Sequence, residues 1–442
     1  MDFETKKKYY NLCNPNEALE PDDKRNVDLD AVGKDKGYSV RGINWSDSFY
    51  NKILLTDDKR PFFKLLTGLP GSGKTTDLKR LAKRLSNPDE GNFFTVFIDA
   101  LEFIDLNSSI EVVDIIATVI YSTEKAINIE KGGNAEKTLD EGYCQRLWHF
   151  LTTTDVKFKN AEFKIPSAGK LVFEMQTRLP LRKHIRKVVA SNFLTFMQEA
   201  KDTLITLNAE VVREFGRKSI VIIFDSLEKL KGTSKTWEEV LKSAELVFGG
   251  NAPHVRLPIH VLYTLPPALY THFSGIDFMP VIKVLNKDRS PNEHGLAAAR
   301  QIISKRIPEN ILKELFGSNM DVRIDQLILW SGGYTRQIVE MLQQVIEQSD
   351  HPVSDRAFKR IMAGIANDCR SMVPGNAFDW LAHVAKEKYL AIEDDDHKEI
   401  VDRMLLNHVI LSYLNNEAWF DLHPAVYKIP GVQEAINNLE KK

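Results

Sequence analysis

Apolar and polar residues are grouped along this chain in blocks whose period changes. "FFKLL" (62–66), "NFFTVFIDA" (92–100), "IVIIFD" (220–225) and "PIHVLYTLPP" (258–267) are apolar runs too short for helices and bounded by polar turns. That is the pattern of strands buried on both faces of a parallel sheet. "MPVIKVL" (279–285) predicts a fifth strand. Between these runs the spacing becomes helical. Leu78, Leu81, Ala82 and Leu85 share one face, as do Ile110, Val113, Ile116, Ala117 and Ile120, with Ser108 and Glu111 spaced as a capping box. One long helix is expected from about residue 178 toward 215, and another near Trp237. Strands separated by helices in this order predict an α/β fold with a doubly wound parallel sheet.

The second half is mostly helical in pattern. A helix is expected from about Gly295 to Arg306, and after Gly332 and Gly333 another that turns Ile338, Val339, Leu342 and Val345 inward. From Ser354 the chain reads as helical again, and residues 407–429 then read as two short strands around Asn415–Asn416. Helices followed by a two-stranded ribbon suggest a winged helix. Residues 131–177 read as an insertion: a linker, an aromatic helix around Trp148, and a hairpin in which Val156, Phe158, Phe163 and Ile165 alternate with lysines.

Composition narrows the class. At 442 residues and 43% hydrophobic, the chain can bury a core and form two or three domains. With 59 basic and 61 acidic residues and a net charge of −2, no global field draws it to nucleic acid or membrane. The amino terminus has no apolar core of signal-peptide length, and no run of eighteen apolar residues occurs, so the expectation is a cytoplasmic protein with no membrane partner. Cys13, Cys144 and Cys369 lie far apart and are read as ordinary buried thiols.

The chemistry begins at Gly68. Residues 68–75 fit G-x-x-x-x-G-K-[ST] between a strand and an amphipathic helix. Gly68, Gly71 and Gly73 give the backbone freedom to turn successive N–H groups around a β-phosphate, with Pro70 and Ser72 completing the loop. Lys74 is placed to reach β and γ oxygens, Thr75 to offer its hydroxyl to Mg2+, and Thr76 to continue the helix start. Asp225 ends its strand at the edge where α/β sheets bind ligands and would hold Mg2+ through water. Ser226 follows, where fast ATPases carry a second carboxylate. Glu228 is then the nearest carboxylate able to orient water, with a surface or helix-capping residue as the alternative. Thr264, at a strand end, reads either as a group that senses the γ-phosphate or as a turn residue. Arg336, in the first turn of a helix, opposes the dipole and so wants an anion. Arg178, Arg182, Lys183, Arg186 and Lys187 form either a phosphate-backbone contact or a solvated helix face.

"GLPGSGKTT", "IVIIFDSLEK", "VLYTLPP" and "SGGYTRQIVEML", in that order, resemble AAA+ ATPases of the origin-recognition and STAND kind, most of all bacterial ones whose amino-terminal segment looks like "YYNLCNPNEALEPDDKRNVDLD". The resemblance implies a linker (1–60), a P-loop ATPase core with a five-stranded sheet (61–290), a helical lid (291–352) and a winged helix (353–442). It implies Lys74, Thr75 and Asp225 as phosphate and magnesium contacts, and Thr264 and Arg336 as first and second sensors. Val40 and Arg41, in "YSVRG", fall where that family contacts adenine. Ser226 departs from the pattern, and Arg256 and Arg289 are the candidates for a neighbour-activating finger. His423 resembles a histidine that holds ADP in some STAND proteins, or is a core histidine. The expected function is an ATP-binding, slowly hydrolysing ATPase that takes ATP and Mg2+ and acts as a nucleotide-gated switch. It would control self-association or a separately encoded effector, in phage defence by analogy. The alternative is a DNA-binding loader or transposition-regulator ATPase; a small-molecule kinase is disfavoured because no acceptor pocket is legible.

Overall fold

The computed structural model describes residues 1–57, 59–133 and 179–441, with Asp35, Asp395 and Asp396 described by backbone alone. Arg178, Cys144, Trp148 and the expected hairpin at 156–165 lie outside the described residues. The chain divides into two compact units that interleave in sequence. One comprises Met1–Ser48, Thr67–Arg80 and Phe278–Lys442; the other comprises Phe49–Leu66 and Leu81–Asp277.

The second unit is built on the parallel sheet. Its strands β1 (Phe63–Thr67), β2 (Phe94–Asp99), β3 (Ile220–Asp225), β4 (His260–Leu265) and β5 (Ile276–Phe278) lie in the order β2-β3-β4-β1-β5. Every residue of β3 and β4 is buried, as continuous apolar runs require. The register pairs Asp99 with Asp225 and Phe224 with Tyr263, so the ends of β2, β3 and β4 share one edge. The fifth strand differs from the expected one. It is the upstream "IDF", while Met279–Pro280 and the residues after it run without a strand ladder, leaving Leu285 in an isolated bridge to Pro291.

Helices precede and separate the strands. Numbered in chain order, α1 is Phe3–Leu12, α2 Trp45–Leu55, α3 Lys74–Ser86, α4 Val112–Glu130, α5 Leu179–Ser191, α6 Phe193–Phe215 and α7 Trp237–Phe248. Two local expectations are corrected. The cap of α4 is formed by Glu111, whose N–H donates to Asp114 Oδ2 at 2.8 Å, and not by Ser108; Ser108 instead donates its hydroxyl to Asp105. The expected long helix is two helices, broken at Asn192, which leaves helical geometry with φ −133° and ψ 34°.

The first unit is helical with a ribbon. Its helices α8 (Glu293–Ser304), α9 (Glu309–Phe316), α10 (Met320–Trp330), α11 (Thr335–Glu347) and α12 (Asp355–Met372) bury Ile303, Leu315, Ile328, Ile338, Leu342 and Phe358 in one core. Tyr9, Cys13, Leu29 and Val40 of the amino-terminal segment enter the same core. Ser354 caps α12 by accepting the Ala357 N–H. Helices α13 (Phe378–Glu387) and α14 (Asp395–Leu406) precede the antiparallel ribbon of β6 (Ile410–Leu414) and β7 (Ala418–Leu422), and α15 (Pro430–Glu440) ends the chain. The expected turn at Asn415–Asn416 is where the ribbon reverses.

Candidate functional site

Within the first unit the glycine loop and the start of α11 come together. Gly71 and Gly73 have φ of +94° and +99°, the left-handed region that an L side chain resists and that an anion-binding nest requires. Lys74 opens α3, is 2% exposed, and its Nζ donates to the Gly68 carbonyl at 3.3 Å across the loop. Ser72 Oγ is buried with no hydrogen-bond partner among the described residues. Thr75 and Thr76 are half-buried in the first turn of α3. A cradle of glycine backbone, one buried ammonium and one unsatisfied hydroxyl fits the phosphate chain of a nucleotide.

Arg336 belongs to this cradle. Its backbone N–H donates to the Gly71 carbonyl at 3.1 Å, and the Tyr334 hydroxyl donates to the Pro70 carbonyl at 2.5 Å. A Cβ built on Gly71 would lie 2.5 Å from Arg336 Nε, so the guanidinium rests against the loop where only glycine leaves room. Gly332 and Gly333, with φ of +61° and +88°, make the turn that delivers this helix start. Arg336 Nε is buried without a partner, and no carboxylate lies within ion-pair distance of Arg336 among the described residues. Burial pushes the Tyr334 hydroxyl up to about 12, so it remains a donor.

Val40 is buried, and Arg41 is fully enclosed. Arg41 Nη1 meets Asp77 Oδ2 at 2.6 Å and Nη2 meets Asp30 Oδ1 at 2.9 Å, while Asp30 also accepts the Ser46 N–H at 2.7 Å. Burial works against the Arg41 charge, but the carboxylates of Asp77 and Asp30 outweigh it and raise its pKa. Asp77 and Asp30 are site-supporting residues the sequence reading missed. The signal available was an acidic residue in the first turn of the P-loop helix, which the dipole alone explained.

In the second unit Asp225 ends β3 fully buried, and Thr264 in the adjacent β4 is also fully buried, its hydroxyl donating to the Phe224 carbonyl at 3.4 Å. Thr264 lies at the end of its strand, as expected. Glu228 is 3% exposed in the 3-10 turn Leu227–Lys229, which removes the surface alternative. Ser226 holds φ +70°, and its Oγ accepts from Lys229 Nζ at 3.1 Å.

The remaining candidates are already engaged. Of the described basic cluster on α5, Arg182 is 8% exposed and Arg186 is paired with Asp114; only Lys183 and Lys187 face solvent. The described cluster is thus split between two solvent-facing lysines and two arginines turned toward the protein. Arg256 stacks on Phe63 at 4.6 Å and Arg289 on Tyr427 at 3.4 Å. His423 Nδ1 accepts the Ala425 N–H at 3.1 Å, so its ring proton sits on Nε2 and is donated to Gln337 Oε1 at 2.6 Å. Burial, with His408 nearby, lowers the His423 pKa to about 3. It is a satisfied core histidine joined to the residue after Arg336. Burial pushes the Cys13 and Cys369 thiols up to about 12, which suits unreactive thiols.

Residues 43–252 match the family model described as the KAP family P-loop domain. No curated protein matches the chain. Among solved structures the chain is similar to the ORC2 protein of Aeropyrum pernix in ADPNP-ADP complexes, at 9% identity over 97% of this chain and 98% of that one, with a TM-score of 0.37. It is also similar to Drosophila ORC bound to DNA (10%, 99% and 93%, TM-score 0.36) and to Cdc6p of Pyrobaculum aerophilum (11%, 89% and 93%, TM-score 0.30). Among the described residues no helix is long and apolar enough to cross a membrane. The matched domain, the glycine loop and the five-stranded parallel sheet establish the fold: the chain carries an α/β P-loop NTPase domain and is a nucleotide-binding protein.

Proposed function

We propose that this chain is an ATP-binding, slowly hydrolysing regulatory ATPase that works as a nucleotide-gated switch. The observation that carries the reading is the contact of Arg336 with Gly71 inside one compact unit. A guanidinium with spare donors, held against a phosphate cradle, distinguishes a triphosphate from a diphosphate, because a γ-phosphate would be its missing anion. Lys74 would hold β and γ oxygens, and Val40 and Arg41 would border the adenine. Bound Mg2+ would neutralise phosphate charge; the sequence motifs offer Thr75 in the first unit and Asp225 in the second as candidate contacts. Thr264 would sense the γ-phosphate. Glu228 is the remaining carboxylate able to orient water, because Ser226 cannot accept a proton at neutral pH; turnover is accordingly slow.

The unit that carries Arg336 also carries the ribbon, which we read as the wing of a winged helix over a lid of α8 to α11. The Tyr413 hydroxyl donates to the Gly332 carbonyl at 2.7 Å, and His423 holds Gln337. A change at Arg336 therefore has a direct route to the carboxyl-terminal region. The output would be self-association in the cytoplasm or engagement of a separately encoded effector, with phage defence as the analogy. The DNA-loader alternative draws little support from the α5 cluster, where Arg182 is buried and half-buried Arg186 is paired with Asp114.

The test is nucleotide binding and sedimentation of the full chain with ATP, a non-hydrolysable analogue and ADP. Arg336→Ala should weaken ATP at least tenfold, as loss of a charged hydrogen bond does on the order of 1.5–3 kcal/mol, and leave ADP nearly unchanged. Lys74→Ala should abolish binding of both. Identical sedimentation and proteolysis patterns with ATP analogue and ADP would remove the switch; equal affinities in wild type and Arg336→Ala would remove Arg336 as its sensor.

A further inference from the structure

The first 47 residues grip both the P-loop helix and the helix whose first turn carries Arg336. At one end, Lys6 Nζ donates to the carbonyls of Glu347 and Gln348 at 2.8 and 2.7 Å, satisfying two of the open carbonyls at the carboxyl terminus of α11. The ammonium also complements the negative end of that helix. Gln343 of α11 donates to the Tyr10 carbonyl at 3.1 Å, and Tyr9 and Cys13 share a core with Ile338, Leu342 and Val345. Helix α1 thus lies against α11.

At the other end the same segment grips α3 by charge. Asp30 reaches Asp77 through the enclosed Arg41. Asp28 and Asn26 accept from Arg80 at 3.0 and 2.8 Å, and Glu20 pairs with Lys79. Asp77, Lys79 and Arg80 are consecutive contacts in the first two turns of the helix that begins with Lys74. Between the two ends, Arg25 braces the segment internally through Glu17 and Asp23.

We propose that residues 1–47 form a strap that fixes the Arg336 helix relative to the P-loop helix, with Lys6 as a positioning residue for γ-phosphate discrimination. Lys6 touches no part of the phosphate cradle. It anchors the far end of α11, a rod roughly 20 Å long at 1.5 Å per residue, so loosening that end lets the Arg336 end pivot. Arg41, bound on both sides, is the fixed anchor, and half-buried Lys6 is the end that can be released without emptying a core. The inference rests on Arg336 being the triphosphate sensor and adds to that reading the element that aims it.

The experiment measures ATP and ADP affinities of the full chain in wild type, Lys6→Ala, Lys6→Arg, Arg336→Ala and the Lys6→Ala/Arg336→Ala double variant. The expected result is an ATP-over-ADP preference reduced about fivefold or more in Lys6→Ala, with ADP affinity held within about twofold. Lys6→Arg should restore it, and Lys6→Ala should have no further effect once Arg336 is gone. Should Arg336→Ala erase the preference while Lys6→Ala leaves it intact, the strap inference falls and the sensor reading stands. Equal weakening of ATP and ADP by Lys6→Ala would likewise reduce the strap to a stability element. If wild type has no preference, or Arg336→Ala keeps it, the sensor reading fails first and the strap's role goes with it.

Discussion

Arg41 and Arg336 both serve the unit that holds the glycine loop, and their surroundings differ in burial and in charge. Arg41 has no exposed side-chain surface and a carboxylate on each side; Arg336 is half-buried, is in no close ion pair among the described residues, feels the charge of Glu340 one turn on, and rests on the loop and Tyr334. Once neutralised by Asp30 and Asp77, a guanidinium has no charge to spare for a phosphate. One that lacks an anion can receive one. The pair shows that charge count near a phosphate loop does not identify the phosphate ligand, whereas the state of each donor does.

The largest expected effect breaks the Arg41 side. Arg41→Ala would leave buried Asp30 without its ion pair and buried Asp77 with only Arg80, and removing one member of such a network costs about 3–5 kcal/mol. Arg336→Ala removes no ion pair and should cost far less. Denaturant unfolding of the two variants should therefore separate them clearly; comparable losses would mean that Arg336 is structural too.

Some of this was legible in the sequence and some was not, for physical reasons. Fully apolar runs such as "IVIIFD" could only be buried strands, and the loop from Gly68 to Thr75 announced its chemistry through residue types that no fold requires for packing. The fifth strand was misplaced because "MPVIKVL" is as apolar as a strand, yet its buried residues pack without a ladder; Lys283 donates its N–H to Val40 and Ile282 to Gly333. Arg182 and Arg186 looked like a surface stripe because helical periodicity alone cannot say which acids lie opposite. Asp114, about seventy residues earlier, turns Arg186 inward. The strap was likewise invisible: Asp30, Arg41 and Asp77 are ordinary charged residues until the fold brings them together.

A smaller effect sharpens the contrast by pH. Arg41 stays charged throughout the working range, whereas His423, which holds Gln337 next to Arg336 through Nε2, must stay neutral for its Nδ1 to accept the Ala425 N–H. Its folded pKa of about 3 lies below the ordinary 6.5, so below pH 6.5 the unfolded chain takes a proton that the folded chain refuses. Stability is then lost at about 1.4 kcal/mol per unit as pH falls toward 3, or roughly 2 kcal/mol between pH 6.5 and 5. His423→Gln should lose that part of the slope while other groups keep theirs. Parallel wild-type and variant curves of unfolding free energy from pH 7 to 5 would show that His423 is not held neutral.

The smallest effect isolates the contact between Arg336 and the loop. Gly71 and Gly73 have nearly the same positive φ, so alanine at either position carries a backbone cost of about 1–2 kcal/mol. They differ in what the new Cβ meets. At Gly73 nothing lies within 4 Å, but at Gly71 the Cβ would fall 2.5 Å from Arg336 Nε and 2.8 Å from its Cβ, so the arginine must move. Gly71→Ala should therefore cost more than Gly73→Ala, and the excess should shrink on an Arg336→Ala background, where the guanidinium no longer needs room. Thermal unfolding of the three single and two double variants measures this directly. Alanine keeps the Arg336 Cβ, so part of the excess should remain; an excess that does not shrink at all would assign it to that Cβ and the loop backbone and take away the steric evidence that the Arg336 guanidinium is held against the phosphate cradle.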